Sequence, residues 1–436
     1  MKTSFRLESK YKKIILFILY LMLKVCFDFS FNKLVAMDVD TYHPEFKLIK
    51  YVVGIFFCIV LYIPILVMES KASSFFLAMI LCLQFLPIST IYAFCNGSSL
   101  FYVELCLSFL VCELICLYRP ENNGQVERND LLSFIMMAAF LVIIVLIILF
   151  MIKTYGKPSF KAMDIYSVYE IRSSGPDINK YVGYALGSTM YVFFPVLLSW
   201  SIKKRRFVVC LLSALAILLI YLYTGNKSYL FSIPLVVACT LFLSKRENPD
   251  LLLGIMLFSF VCLILIASFT EIRLFSNIYS LFVRRCCFVP ALNKFSYYEY
   301  FSTHPKLGIA GIFPTWIVPY EGNYTSVSYP LEISAIYYGK PEMYSNTGFL
   351  VEGFARFGHF GMLFEMVLFS LVLKLIDSFQ KRTDCQTTIG WFVFVIYLSC
   401  DAFFLDSLFF GPWMFAILIL LLYKNNRIQI SLGNYL

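Results

Sequence analysis

Charge is scarce in this chain. Lys, Arg, Asp and Glu make up 14% of the 436 residues against 60% hydrophobic residues, where a soluble domain carries about 25% charged residues. The deficit runs along the whole length, which excludes a soluble body with a single anchor. Uncharged apolar runs recur from Ile14 to Leu422, separated by short polar punctuation. Also missing is the alternation of apolar and polar residues, over strands of about 10, that a membrane barrel requires. Residues 141–150, LVIIVLIILF, are apolar on every face. Helix is then the remaining spanning form, at roughly 20 apolar residues per crossing. No basic stripe with interleaved aromatics occurs. The net charge of +9 sits in small clusters at helix ends, where membrane proteins set their orientation, so nucleic acid is not an expected partner. No cysteine spacing suits a metal. Cys58, Cys82, Cys106, Cys112 and Cys116 lie inside apolar runs and act there as small hydrophobes. Cys286 and Cys287 are vicinal, to pair with each other or with nothing. No small-residue cleavage site follows the first apolar run, which passes into Lys24, Asp28 and Lys33. It reads as a retained helix.

What is present is an all-α, polytopic transmembrane pattern of about 12 helices, forming a single integral membrane domain over 1–436. The helices are expected at 14–35, 48–68, 73–94, 100–118, 131–152, 181–201, 207–223, 229–243, 251–269, 348–376, 388–408 and 413–423. Two of these, 229–243 and 413–423, are short, and would be re-entrant or extend into their flanks. Lys203, Lys204, Arg205 and Arg206 form the strongest basic cluster. Placing it in the cytoplasm also places Lys245/Arg246, Lys381/Arg382, Lys424/Arg427 and the N-terminal lysines there. Both termini are then cytoplasmic. Two sizeable segments fall outside: a smaller loop, 153–180, and a large one, 270–347. Loops longer than about 15 residues are usually functional.

The large outer segment gathers the chemistry. Arg284 and Arg285, just beyond a helix end, run against the usual inside bias for cations. They suit headgroup contact or an anion site, since a guanidinium binds phosphate oxygens two at a time. Tyr297, Tyr298, Tyr300 and Phe301 follow, with Glu299 and His304 among and after them. Such density fits interfacial aromatics, or a sugar-stacking surface with acid–base groups nearby. Trp316, Tyr320, Tyr324, Tyr329, Tyr337, Tyr338 and Tyr344 continue it. Next comes 346–361, NTGFLVEGFARFGHFG, where Gly348, Gly353, Gly358 and Gly361 permit close backbone approach. Glu352, Arg356 and His359 stand at helical spacings of four and three, so they are expected to share a face. Ionisable groups at the head of a membrane helix are costly unless they pair or line a wet site. Lys227, in the TGNKS turn, is a third outward cation. Asp401 and Asp406 fall late in the 388–408 helix. Asp38 and Asp40 form a D-x-D pair that could hold a divalent metal, serve as a base, or arise by chance.

The order TGNKS, then RR-x5-PA-x5-YYEYFS, then YP-x12-NTGFLVEGFARFGHFG, resembles the bacterial O-antigen polymerase family, the oligosaccharide repeat unit polymerases. The likeness covers roughly 223–361, about a third of the chain, and the glycine-studded segment is its most specific part. The resemblance implies a membrane glycosyltransferase with GT-C-like architecture in the bacterial inner membrane. Segments 153–180 and 270–347 would then be periplasmic loops. The enzyme would join repeat units carried on undecaprenyl diphosphate into O-antigen or a related surface polysaccharide. It would use no cofactor or metal, and its partners would be the undecaprenyl-diphosphate-linked oligosaccharides, membrane lipids and a chain-length regulator protein. Arg284, Arg285, Arg356 and Lys227 would face the diphosphate. His304, Glu299, His359 or Glu352 would serve as base, and Tyr297, Tyr298, Tyr300 and Asn346 would contact the glycan.

Three other readings remain open. One is an O-antigen ligase-like enzyme. A second is a GT-C transferase using a single prenyl-phosphate sugar, with Asp38 and Asp40 as its acidic motif. The third is a transporter of lipid-linked oligosaccharides, for which repeated halves and broken or charged helices are expected; neither is visible in the sequence.

Overall fold

The structure is a computed structural model that describes residues 2–38, 41–118, 130–160, 176, 179–270, 272–310, 312–313 and 328–422. The expected loop 153–180 lies largely outside the described residues, as do Asp40, Trp316, Tyr320, Tyr324 and the Lys424/Arg427 cluster. Among the described residues the secondary structure is helical and no β-strand occurs. Among the described residues nine helices are long and apolar enough to cross a membrane, or ten if the bent pair Phe404–Phe410 and Pro412–Leu422 counts as one span. The protein is an all-α, multi-pass membrane protein.

The chain divides into two compact units. The first holds Met1–Arg119, Asn248–Lys374 and Tyr397–Asp406. Its helices are α1 (Lys2–Met37), α2 (Leu48–Val67), α3 (Ala72–Phe94) and α4 (Ser99–Leu117). After the second unit intervenes, it resumes with a helix at Pro249–Phe269. Helix α3 is buried along almost its whole length, so the other elements pack around it. Outward faces are apolar. On α2, Leu48, Ile49, Val52, Phe56, Ile63 and Val67 are all exposed at spacings of one to seven that fall on one stripe. A contiguous apolar face of this kind is what lipid contact requires. Inside the unit, Lys24 donates to Asp28 at 2.5 Å and to Thr90 at 3.1 Å. The pair is buried, an arrangement that membrane helices tolerate only when each charge finds its counter-charge.

The second unit holds Pro120–Glu247, Leu375–Ile396 and Ser407–Leu436, with α5 (Asp130–Tyr155), α6 (Tyr181–Lys203), α7 (Phe207–Thr224) and α8 (Lys227–Arg246). The TGNKS turn joins the last two. Gly225 ends α7 at φ 63°, a left-handed conformation that glycine adopts without a Cβ penalty. Asn226 then caps α8, its side chain accepting from Ser228 N at 3.3 Å. Lys227 is therefore the first residue of a 20-residue helix, longer than the 229–243 expected. Gly390 lies against the hydroxyls of Ser199 and Thr240, and Lys203 bonds Asp384.

Two expectations change. The 388–408 helix is broken into Cys385–Ser399 and Phe404–Phe410. Nor is segment 270–347 an extended loop throughout. It continues as α9 (Arg273–Tyr279), a π-helical stretch (Ser280–Phe288), α10 (Val289–Thr303) and, later, α11 (Tyr329–Tyr338). Pro290 opens α10 where its missing N–H costs nothing, and the helix buries ten of its residues. Aromatic composition here built a packed helix instead of a free surface.

Candidate functional site

Arg284 and Arg285 stand on the π-helical stretch Ser280–Phe288. A π-turn inserts an extra residue per turn and re-aims side chains, and such turns are frequent at functional sites. The two arginines it carries differ in their surroundings. Arg284 is half-buried, 3.5 Å from Asp38, with Nε donating to Ser280 Oγ at 3.3 Å. Asp38 also accepts from Thr41 at 2.7 Å and from Lys340 at 3.0 Å through each oxygen. Burial alone would raise this carboxyl, but the Thr41 and Lys340 bonds and the nearby Arg284 charge outweigh it and hold it below the usual range. Asp38 is thus held by cations. Among the described residues, no group of His, Cys, Asp and Glu could hold a metal ion.

Arg285 is exposed, and among the described residues it makes no hydrogen bond or ion pair. Its charge acts on Asp401, an exposed carboxylate in the break between Ser399 and Phe404. The break is held in place from below. Tyr397 donates to Cys286 Sγ at 3.0 Å, tying it to the π-helical stretch. Gly348 lies directly on the carbonyls of Ser399 and Cys400, an approach that any Cβ would block. Cys286 and Cys287 are both free thiols.

Sequence reasoning missed Lys294. It is completely buried in α10, with Nζ donating to Gln84 Oε1 at 2.7 Å and to the Pro290 carbonyl at 3.2 Å. Gln84 sits on a second π-helical stretch, Leu81–Phe85 within α3, and its amide reaches the Cys286 carbonyl at 3.4 Å. Lys294 and Asp401 interact electrostatically. The one available signal was a lysine amid the apolar and aromatic residues of PALNKFSYY. Desolvation pushes the Lys294 ammonium down to about 8, partly opposed by Cys400 and Asp401. A lysine whose folded value is depressed destabilises the fold while it stays charged, and the penalty is relieved as pH rises from the folded value toward the unfolded one. A shift from 10.5 to about 8 is on the order of 3 kcal/mol. The thermal midpoint of the purified protein is therefore expected to gain stability from this group between pH 8 and 10. Lys294→Met should flatten that window; an unchanged profile in the variant would show that Lys294 does not cause it.

The glycine-rich segment folds back on itself. Within Phe349–Arg382, Gly358 adopts φ 70° and ψ −154°, which breaks the helix into two arms. A Cβ on Gly353 would fall within the Gly361 carbonyl, and one on Gly361 within the Gly353 carbonyl. The arms therefore meet backbone to backbone. Gly361→Ala is expected to cost roughly 2–3 kcal/mol, in the range for overpacking a close contact. Detergent melting curves measure this, and an unchanged midpoint would mean the arms do not meet.

The fold-back separates residues that an unbroken helix would align. Glu352, Arg356 and His359 do not share a face. Arg356 is 1% exposed. Its Nε donates to Glu352 at 2.7 Å, and one terminal nitrogen donates to the carbonyls of Gly308 at 3.1 Å and Ala310 at 2.7 Å. The other terminal nitrogen pairs with Asp406. Glu352 accepts in addition from Leu405 N at 2.9 Å. In return, the backbone N–H groups of Leu307 and Gly308 cap the carbonyls of Ala355 and Arg356 at 2.9 and 3.0 Å. This hub ties three strands of chain together and leaves Arg356 and Glu352 committed. His359, on the far arm, is 58% exposed and bonds Glu104 at 2.7 Å.

The remaining expected site residues are dispersed. Tyr297, Tyr298 and Tyr300 are buried, so they offer no stacking surface to a sugar. Tyr297 donates to the Ser345 carbonyl at 2.8 Å, Tyr298 packs on Phe101 and Phe354, and Tyr300 stacks on His304 at 4.0 Å. The exposed His304 bonds the Tyr300 carbonyl through Nδ1 at 2.8 Å, with its tautomer following from that contact. Glu299 is exposed, and desolvation pushes its carboxyl upward. Asn346 is exposed, its carbonyl accepting from Asn293 at 2.5 Å. Lys227 belongs to the second unit.

Fold and side chains together define a polytopic helical membrane protein. Its first unit carries two arginines, a buried lysine and an exposed aspartate around two π-turns and a helix break. No family model, curated protein or solved structure matches the chain.

Proposed function

We propose that this protein is a membrane glycosyltransferase that polymerises oligosaccharide repeats carried on undecaprenyl diphosphate at the outer face of the bacterial inner membrane. The observation that carries the reading is Arg285, exposed and without a bond among the described residues, beside Arg284. A diphosphate leaving group at a membrane surface develops negative charge, and preorganised guanidinium groups stabilise it. The resemblance of 223–361 to the O-antigen polymerase family agrees with this placement, with GT-C-like architecture and cytoplasmic termini as its corollaries. The reaction moves the growing glycan from its carrier to a hydroxyl of the next lipid-linked repeat, releasing undecaprenyl diphosphate. Arg356, Glu352 and the three buried tyrosines support the fold of the site instead of touching substrate.

A test compares surface glycans from cells with and without the protein. Long-chain ladders should vanish without it while single repeats persist. Reporter fusions that put 270–347 in the cytosol would overturn the reading, because no periplasmic glycan could reach the arginines.

A second reading has gained an observation. Broken helices at Gly358 and at Ser399–Phe404, with the buried Lys24–Asp28 pair, are features that a transporter would share. The two separate cleanly: loss of a flippase leaves no repeat on the outer face, whereas loss of a polymerase leaves single repeats there.

A further inference from the structure

We propose that Asp401 is the group that takes the proton from the attacking sugar hydroxyl. The inference rests on the polymerase reading and adds a catalytic residue to it.

Three other carboxylates close to the arginines and the helix break are already committed. Asp38 is held by Thr41, Lys340 and Arg284. Glu352 is spent on Arg356 and Leu405 N, and Asp406 is paired with Arg356. Asp401 differs from these three: among the described residues its side chain accepts no hydrogen bond, it is exposed, and the charges of Arg285 and Lys294 act on it, whereas the equally exposed Glu299 is shifted by desolvation alone. A carboxylate with open lone pairs can receive a hydroxyl hydrogen without first breaking a bond. Its backbone is also fixed. Asp401 N donates to the Leu398 carbonyl at 2.9 Å, and Gly348 and Tyr397 hold the flanking residues. The anchored main chain fixes the place from which the carboxylate can reach a bound hydroxyl.

The step balances as follows. The acceptor hydroxyl oxygen forms a bond to the anomeric carbon of the donor glycan while its proton passes to a carboxylate oxygen of Asp401. The anomeric carbon–oxygen bond to the diphosphate breaks, and its electron pair leaves with undecaprenyl diphosphate. Arg285 and Arg284 stabilise that charge. The proton on Asp401 then passes to water or to the departing diphosphate, restoring the carboxylate.

The experiment uses the full-length protein in liposomes, with lipid-linked repeats isolated from cells that lack it. Asp401→Asn should lower the polymerisation rate about 10²-fold or more while KM for the lipid-linked repeat stays within about threefold, as expected for a group used only in the transition state. Asp401→Glu should restore part of the rate. If D401N fails to insert, Asp401→Ser carries the same two measurements. A D401N rate within a few-fold of wild type, or a raised KM with unchanged turnover, overturns the assignment. Wild-type protein that makes no longer glycan overturns the polymerase reading itself, and the role of Asp401 with it.

Discussion

Arg356→Ala is expected to destabilise the protein by about 3–5 kcal/mol, the range for removing one partner of a buried ion pair. The guanidinium is 1% exposed and bonds Glu352, Asp406 and the carbonyls of Gly308 and Ala310. Truncation leaves Glu352 buried beside no cation and strips two carbonyls of their donors. Arg356→Lys should rescue little, since one ammonium cannot reproduce the planar fork. The measurement is thermal unfolding in detergent, read together with the membrane-inserted fraction. A midpoint within a few degrees of wild type would show that the hub contributes little.

The second large effect falls on activity. Arg284→Ala and Arg285→Ala are each expected to cut glycan polymerisation by about 10²–10³-fold, the cost of removing one preorganised group from developing negative charge. Stability should respond unequally. Arg285 forms no bond among the described residues, so its loss should leave the midpoint unchanged. Arg284 lies 3.5 Å from Asp38, but Asp38 keeps Lys340 and Thr41, so a shift below about 1 kcal/mol is expected. Normal chain-length ladders from the Arg285→Ala strain would remove Arg285 from the site. Inactivity with a collapsed midpoint would make it structural.

How far these residues could be recognised from sequence depended on the range of the interaction. The helices Leu48–Val67 and Pro249–Phe269 lie where uncharged runs put them, because crossing length and apolarity are properties of a local window. The TGNKS turn is equally local, with a glycine to end one helix and an asparagine to cap the next. Gly348, Gly353 and Gly361 do lie against neighbouring backbone, as their spacing suggested. The fold-back at Gly358 was out of reach, since glycine tolerates φ > 0 without demanding it. His359 therefore left the face of Glu352 and Arg356. The tyrosines of YYEYF went inside because α10 had helices to pack against. Lys294 was overlooked because it is a single charge in a greasy stretch, and Asp401 was noted without a role, because only distant partners give either residue meaning.

Composition and hydrophobic period alone determined that this chain is a bundle of membrane-crossing helices with its polar chemistry gathered after residue 270. The hydrocarbon interior penalises every exposed charge and unpaired peptide, so that outcome is written residue by residue. Which charges are committed and which remain available was decided by the tertiary structure alone. Among the described residues Arg356 is saturated and Arg285 is open because of the carbonyls and carboxylates that chain folding brought to one and not to the other.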